Sequence, residues 1–302
     1  MPELPEVTTT ANILNKLIKG KKIKAVWTNY RSLFYSRKEN IKDPKYFRKF
    51  QKEVVNHKVI AVWRRAKNVL IDISGDKTIL IHMKMTGHLL YGKYIFNKKS
   101  KEWEPRSKNG PLADPFNKFI RLVFEFTDGT HLAFSDMRKF ATVFLIPDKM
   151  TLSEKFRKIG PEPLEKSFDW KKLKEQIGKK PNGKIKTVLM NQEIVAGIGN
   201  IYSDEILWMS KIRPDRLVKK IKDAEIKEIL KNAKVILNKG IDFGGDSMSD
   251  YRNPYGERGD FQNHHQAYRR TKEKCLTRRC KGVIERKVIN GRSAHFCPKC
   301  QK

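Results

Sequence analysis

From about residue 21 to residue 146, apolar and polar positions alternate in short runs, the period-2 pattern of half-buried strands. Lys58 to Trp63, Val69 to Ile73, Thr78 to His82, Phe119 to Phe126 and His131 to Phe134 read as strands, punctuated by turns at Gly75-Asp76 and Asp128-Gly129. The polar stretch Asn97 to Pro115, with Gly110, Pro111 and Pro115, is expected to be an exposed loop. Gly160-Pro161-Glu162-Pro163 marks a linker, and beyond it the period turns helical. Ile226, Ile229, Leu230, Ala233, Ile236 and Leu237 form one stripe at i, i+3, i+4, i+7 spacing. The chain also opens on a helix, with apolar positions Val7, Ala11, Leu14, Leu17 and Ile18 and a stop at Gly20. After Gly244-Gly245 a segment rich in Gly, Asp, Asn and Arg runs to about Gln262 and looks too polar for a core.

Composition narrows the partners rather than the fold. The 302 residues carry 65 Lys+Arg against 33 Asp+Glu, a net charge of +32, while 39% apolar and 10% aromatic residues suffice for real cores. A folded protein so basic is expected to meet a polyanion, nucleic acid or an anionic membrane surface. The longest apolar stretches, such as Ala141 to Ile146, fall far short of the roughly 20 residues of a membrane span, and the first 25 residues carry no secretion signal. A cytoplasmic protein is therefore expected.

All four cysteines, Cys275, Cys280, Cys297 and Cys300, lie in the last 28 residues, spaced C-x4-C, sixteen residues, C-x2-C. Two knuckles joined by a β-hairpin would bring four thiolates around one tetrahedral Zn²⁺, structural because no position remains for water. Two disulfides or four free thiols are the less favoured reading in a reducing compartment.

The opening Met1-Pro2-Glu3-Leu4-Pro5-Glu6-Val7 contains more than helix capping explains. Pro5 suits a first helical turn and Glu6 the positive end of the helix dipole. Pro2, however, becomes a secondary amine at the chain's start once Met1 is removed. Ordinary α-amines ionise near pH 8, about two units below lysine, so part of the population is neutral and nucleophilic in the cytosol. Attack on an aldehyde-level carbon gives a cationic iminium, an electron sink that needs no metal or organic cofactor, with Glu3 beside it to supply a proton.

These residues carry a family resemblance. The PELPEV start, Asn191-Gln192-Glu193-Ile194-Val195-Ala196-Gly197-Ile198-Gly199-Asn200-Ile201-Tyr202, and the finger ending Phe296-Cys297-Pro298-Lys299-Cys300-Gln301 together resemble bacterial formamidopyrimidine-DNA glycosylase, in the family's order and across essentially the whole chain. The resemblance implies an α+β multidomain protein: an N-terminal β-sandwich with a leading helix (1-150), a linker (151-165), a helix-two-turn-helix domain with a lesion-capping loop (166-262) and a zinc finger (263-302). It implies a bifunctional DNA glycosylase and AP lyase acting on double-stranded DNA with oxidised purines or abasic sites, in the cleft between the two halves. Nucleoid association and a monomeric state are expected with it.

Carried across by motif, Pro2 resembles the nucleophile that attacks C1′, Glu3 the acid that protonates the sugar ring oxygen, and Glu6 a supporting acid. Lys67, in Arg65-Ala66-Lys67, resembles the essential lysine, and Arg292 the arginine of δ-elimination. Asn200 resembles a phosphate ligand and Glu205 resembles the partner of Asn200 near the N-terminal site; Asn200 also reads physically as the N-cap of a helix starting at Ile201, and Lys186 adds charge to the same patch. An enzyme working on C1′ must extrude the nucleotide and fill the gap. Met85, Arg138 and Phe140 resemble the residues that do so, Arg138 reading the orphaned cytosine, although Met85 and Phe140 would by spacing alone pass for core residues. Three departures concern the DNA surface. Lys118-Phe119-Ile120-Arg121 lacks a phosphate-binding histidine, leaving that role to Arg121; Tyr268-Arg269-Arg270 lacks a glycine between the DNA-binding Tyr268 and Arg270; and Ala141 replaces a glycine. Two other readings stand beside this one: an endonuclease VIII-like enzyme for oxidised pyrimidines, against which PELPEV and the wedge weigh, and a non-catalytic zinc-ribbon protein binding DNA or ribosomal RNA, which leaves Pro2-Glu3 unexplained.

Overall fold

The computed structural model describes residues 1–30 and 39–302. They part into two compact units: Met1–Pro2, Glu6–Arg157 and Gly244–Asp260 form the first, Glu3–Pro5, Lys158–Phe243 and Phe261–Lys302 the second. The segment 244–260 thus belongs to the first unit and the finger to the second.

The first unit is a β-sandwich. Its elements are α1 (Leu4–Ile18, beginning among residues of the second unit), β1 (Ile23–Thr28), α2 (Pro44–Val54), β2 (Val59–Arg65), β3 (Asn68–Ile73), β4 (Lys77–His82), β5 (His88–Gly92), β6 (Tyr94–Asn97), β7 (Glu102–Pro105), β8 (Ile120–Phe126), β9 (His131–Ser135), β10 (Thr142–Ile146) and α3 (Lys149–Phe156). Two four-stranded antiparallel sheets, ordered β1-β8-β9-β5 and β10-β4-β3-β2, share one core with α1 and α2. Val7, Ala11, Leu14 and Ile18 of α1 lie in that core, and Gly20, at φ +82, ends the helix as its sequence suggests. The pattern alone does not mark α2, whose apolar face, Phe47, Phe50 and Val54, is interleaved with Lys and Arg; Asp43 caps it by accepting the Tyr46 N–H at 2.7 Å.

Two polar stretches prove more ordered than their composition suggests. The expected loop at 97–115 contains most of the β6–β7 hairpin, because Phe96 and Trp103 pack edge-on against Trp27, 6.0 and 6.3 Å between centroids. The segment after Gly244 is held by polar groups: Arg252, almost fully buried, pairs with Asp114 at 3.0 Å, and the Tyr91 N–H donates to the Pro254 carbonyl at 2.7 Å.

The second unit comprises α4 (Trp170–Gly178), α5 (Ile185–Leu189), α6 (Asn200–Met209), α7 (Asp223–Asp242) and the hairpin β11 (Glu285–Ile289) and β12 (Arg292–Phe296). The predicted stripe of α7 enters its core beside Ile206 and Leu207 of α6. Among the described residues no helix is long and apolar enough to cross a membrane.

Candidate active site and nucleic-acid interface

In the second unit, α6 is built around Glu3. Gly197, at φ +86, turns the chain ahead of the helix, and its carbonyl accepts the Leu4 N–H at 3.0 Å. Gly199 is the N-cap, and a Cβ there would stand 2.3 Å from the Glu3 carboxyl carbon. The absent side chain is what admits the carboxylate. Glu3 Oε1 then accepts the Ile201 N–H at 3.0 Å, the role that a capping side chain ordinarily plays. Asn200, expected as the cap, is instead the first helical residue, and its buried Oδ1 has no hydrogen-bond partner among the described residues.

Glu205, fully buried on the same helix, accepts the N–H groups of Gln266, Ala267 and Tyr268 at 2.8, 2.9 and 2.8 Å. Burial pushes its carboxyl above the usual carboxylate range against the pull of those donors. These bonds anchor the stretch of chain that leads into the finger. Tyr268 stands edge-on between His265 and His295, at 5.3 and 5.1 Å.

The finger gathers its cysteines as their spacing suggests. The four Sγ atoms lie within 4.8 Å of one another, with Cys275–Cys300 and Cys280–Cys297 each at 3.7 Å, too far apart for disulfides and suited to one tetrahedral ion. A Cβ on Gly282 would come within 2.5 Å of Cys297 Sγ, so this glycine lets the backbone close over the thiolates. Asn290 and Gly291, both at positive φ, form the tight turn of the β11–β12 hairpin, and Arg292 leaves it exposed.

In the first unit Pro2 is buried next to the exposed Met1. Glu6 fastens the segment after Gly244: Oε1 accepts the Asp246 N–H at 2.8 Å and its carbonyl accepts the Tyr251 hydroxyl at 3.0 Å. Lys67 occupies the two-residue turn between β2 and β3, beside Ala66 at φ +51, and is only 8% exposed, unlike a solvated strand lysine. Its charge reaches His82, where burial, followed by Lys84 and Lys67, holds the imidazole down at about 3, neutral at any physiological pH.

Met85 and Arg138–Phe140 sit on two neighbouring turns, β4–β5 and β9–β10. Phe140 is 47% exposed and the Arg138 guanidinium lies 4.5 Å from its ring centroid, so Phe140 is no core residue; Met85 is half-buried and it is Met83 that enters the core. Arg121 is half-buried, its Nε donating to the Asp136 carbonyl at 3.2 Å.

Family models match the chain in three consecutive blocks: a formamidopyrimidine-DNA glycosylase N-terminal domain at residues 1–143, the H2TH domain of the same enzymes at 159–252, and a zinc finger found in FPG and IleRS at 272–302. The formamidopyrimidine-DNA glycosylase of Streptococcus mutans is 36% identical over all of both chains, and that of Streptococcus pneumoniae strain TIGR4 is 34% identical over 100% of this chain and 99% of its own. The chain belongs to the formamidopyrimidine-DNA glycosylase family. Among solved structures, the complex of Lactococcus lactis Fpg with DNA containing an abasic site is similar at 32% identity and TM-score 0.82 over 99% of both chains, and the complex of the same enzyme with Fapy-dG DNA at TM-score 0.81. The family does not favour the pyrimidine-specific or non-catalytic readings.

For a formamidopyrimidine-DNA glycosylase of this sequence, one expected DNA contact needs correction. Lys186 is fully buried: its Nζ lies 2.6 Å from Asp204 Oδ1 and bonds the Ser203 hydroxyl and the Asn200 carbonyl at 3.1 and 3.2 Å. Asp204 Oδ2 in turn accepts the His295 N–H at 3.0 Å. Lys186 therefore braces α6 against the finger strand and presents no charge to a phosphate. Arg270, partly exposed, donates to Glu273 at 2.8 Å and to the Gln266 and Lys274 carbonyls at the entry to the finger. Sequence reasoning also missed what Gly199, Asp204 and Asp136 do, since their partners are distant in the chain.

Proposed function

We propose that this chain removes oxidised purines, 8-oxoguanine and formamidopyrimidines, from duplex DNA through a Schiff base on Pro2, and then nicks the strand by β,δ-elimination. The observation that carries the residue assignment is the Glu3 carboxylate seated on Gly199 and oriented by the Ile201 N–H, one residue along the chain from the nucleophile. The Pro2 nitrogen forms a bond to C1′ as the bond from C1′ to the base breaks. Glu3 gives its proton to the ring oxygen, the sugar opens, and the iminium remains. Loss of a C2′ proton expels the 3′ phosphate, a second elimination expels the 5′ phosphate, and water frees Pro2. Lys67, sequestered in its turn, assists lesion processing, and the exposed Arg292 the δ-elimination. Glu6 holds the segment after Gly244 and Glu205 the stretch that leads into the finger, each as a supporting residue. Met85, Arg138 and Phe140 fill the gap left by the extruded nucleotide, and Asn200, Arg121 and Tyr268 contact the backbone.

Zinc, when bound by Cys275, Cys280, Cys297 and Cys300, fixes the finger and takes no part in the chemistry. The chain works as a monomer in a bacterial cytoplasm, and the +32 charge supports its association with nucleoid DNA. Base release from duplexes carrying 8-oxoguanine, formamidopyrimidine or thymine glycol tests the substrate class. The purine lesions are expected to react faster; thymine glycol as the best substrate would favour the pyrimidine enzyme.

A further inference from the structure

Beneath the two turns that carry Met85 and Arg138–Phe140 lies a fully buried carboxylate, Asp136, that belongs to no catalytic step. Its Oδ1 accepts the Thr86 hydroxyl proton; its Oδ2 accepts the Tyr30 hydroxyl at 2.7 Å and the Ala141 N–H at 3.0 Å. The Thr86 oxygen then accepts the Arg138 N–H at 3.1 Å. Between these two ties, the Lys139 carbonyl accepts from Lys42 Nζ at 2.7 Å. The backbone at 138, 139 and 141 is thus tied at three points to buried groups, and Thr86, the residue after Met85, links the two turns.

We propose that Thr86, seated on Asp136, is a specificity-determining positioning residue that joins the Met85 turn and the Arg138–Phe140 turn into one rigid piece. The proposal rests on the reading of those side chains as the wedge that enters the duplex. A side chain that pushes between stacked bases meets resistance, and a turn free to yield would surrender the placement of Arg138 against the orphaned base. With Thr86 bonded to both the carboxylate below and the Arg138 N–H above, the backbone under Arg138 is preorganised before DNA arrives. The hydroxyl is the essential group: serine preserves both bonds, and valine, of the same shape, neither donates nor accepts.

The test compares kcat/KM on 8-oxoguanine opposite cytosine and opposite adenine for the wild type, Thr86→Ser, Thr86→Val, Arg138→Ala and the double variant Thr86→Val/Arg138→Ala. Thr86→Val should lose discrimination by about tenfold, the worth of one strong hydrogen bond. Thr86→Ser should keep it, and the double variant should discriminate no worse than Arg138→Ala. A merely structural role would lower both substrates alike and leave the ratio unmoved. Thr86→Ala replaces Thr86→Val if the valine protein does not fold. Discrimination retained by the folded hydroxyl-free variant but lost by Arg138→Ala overturns the proposal and leaves the wedge reading standing; discrimination retained by Arg138→Ala overturns both.

Discussion

Gly199→Ala should abolish most base excision without unfolding the protein. Gly199 has φ −133, outside the left-handed region, so alanine meets no backbone penalty there. What it meets is Glu3: the new Cβ would lie 2.3 Å from the carboxyl carbon and 2.5 and 2.7 Å from its oxygens. The carboxylate is the far end of a flexible side chain and gives way, losing the Ile201 N–H and its place beside Pro2. A misplaced general acid costs about 10²- to 10⁴-fold. Single-turnover release of 8-oxoguanine should fall by that order, with the thermal midpoint near the wild type and cleavage at a preformed abasic site partly retained. Excision at the wild-type rate would show that Glu3 is not the acid.

Zinc removal is the second large effect. The finger's apolar residues are few: Ala267, Ile284 and the ligands Cys275 and Cys297 pack on Trp208 of α6, and Ile289, Ala294 and Phe296 are the other buried ones. Metal binding worth about 10–16 kcal/mol dominates so small a core. Chelation should therefore unfold residues 272–302, abolish DNA affinity and leave the sandwich melting as before. Trp208 offers a local probe, because its indole N–H donates to Cys275 Sγ at 3.4 Å. Its emission should shift to the red as the finger opens, a change absent from Trp208→Phe. Cys297→Ser should behave as the chelated protein does. Active protein with a zinc-to-chain ratio near zero would contradict this.

What could be read from the sequence follows from how local each signal is. The alternation of Val69 to Ile73 and Thr78 to His82 and the stripe of α7 repeat at the spacing of their own elements and appear as strands and a helix. The cysteine knuckles were equally legible, because ligand spacing is itself the constraint. The β6–β7 hairpin was not, since the ring that Phe96 and Trp103 pack against is Trp27, some seventy residues away in the chain. Asn200 has every local mark of a helix cap; the group that serves α6 is Glu3, from the other end of the sequence. Lys186 looks like any of 65 cations until Asp204 closes on it. Pro2 and Glu3 stood out for the opposite reason: a proline at position 2 has a chemistry that no element of structure requires.

Whether the Pro2 nitrogen is the nucleophile is decided by trapping the covalent intermediate. Protein is incubated with a duplex carrying 8-oxoguanine opposite cytosine in borohydride, then digested, and the cross-linked peptide is identified by mass. The expected result is an intact mass lacking Met1, an adduct on the peptide that begins with Pro2, and a greatly slowed reaction in Pro2→Gly. An adduct of full yield on protein with a blocked N-terminus, or one mapped to Lys67, would contradict it.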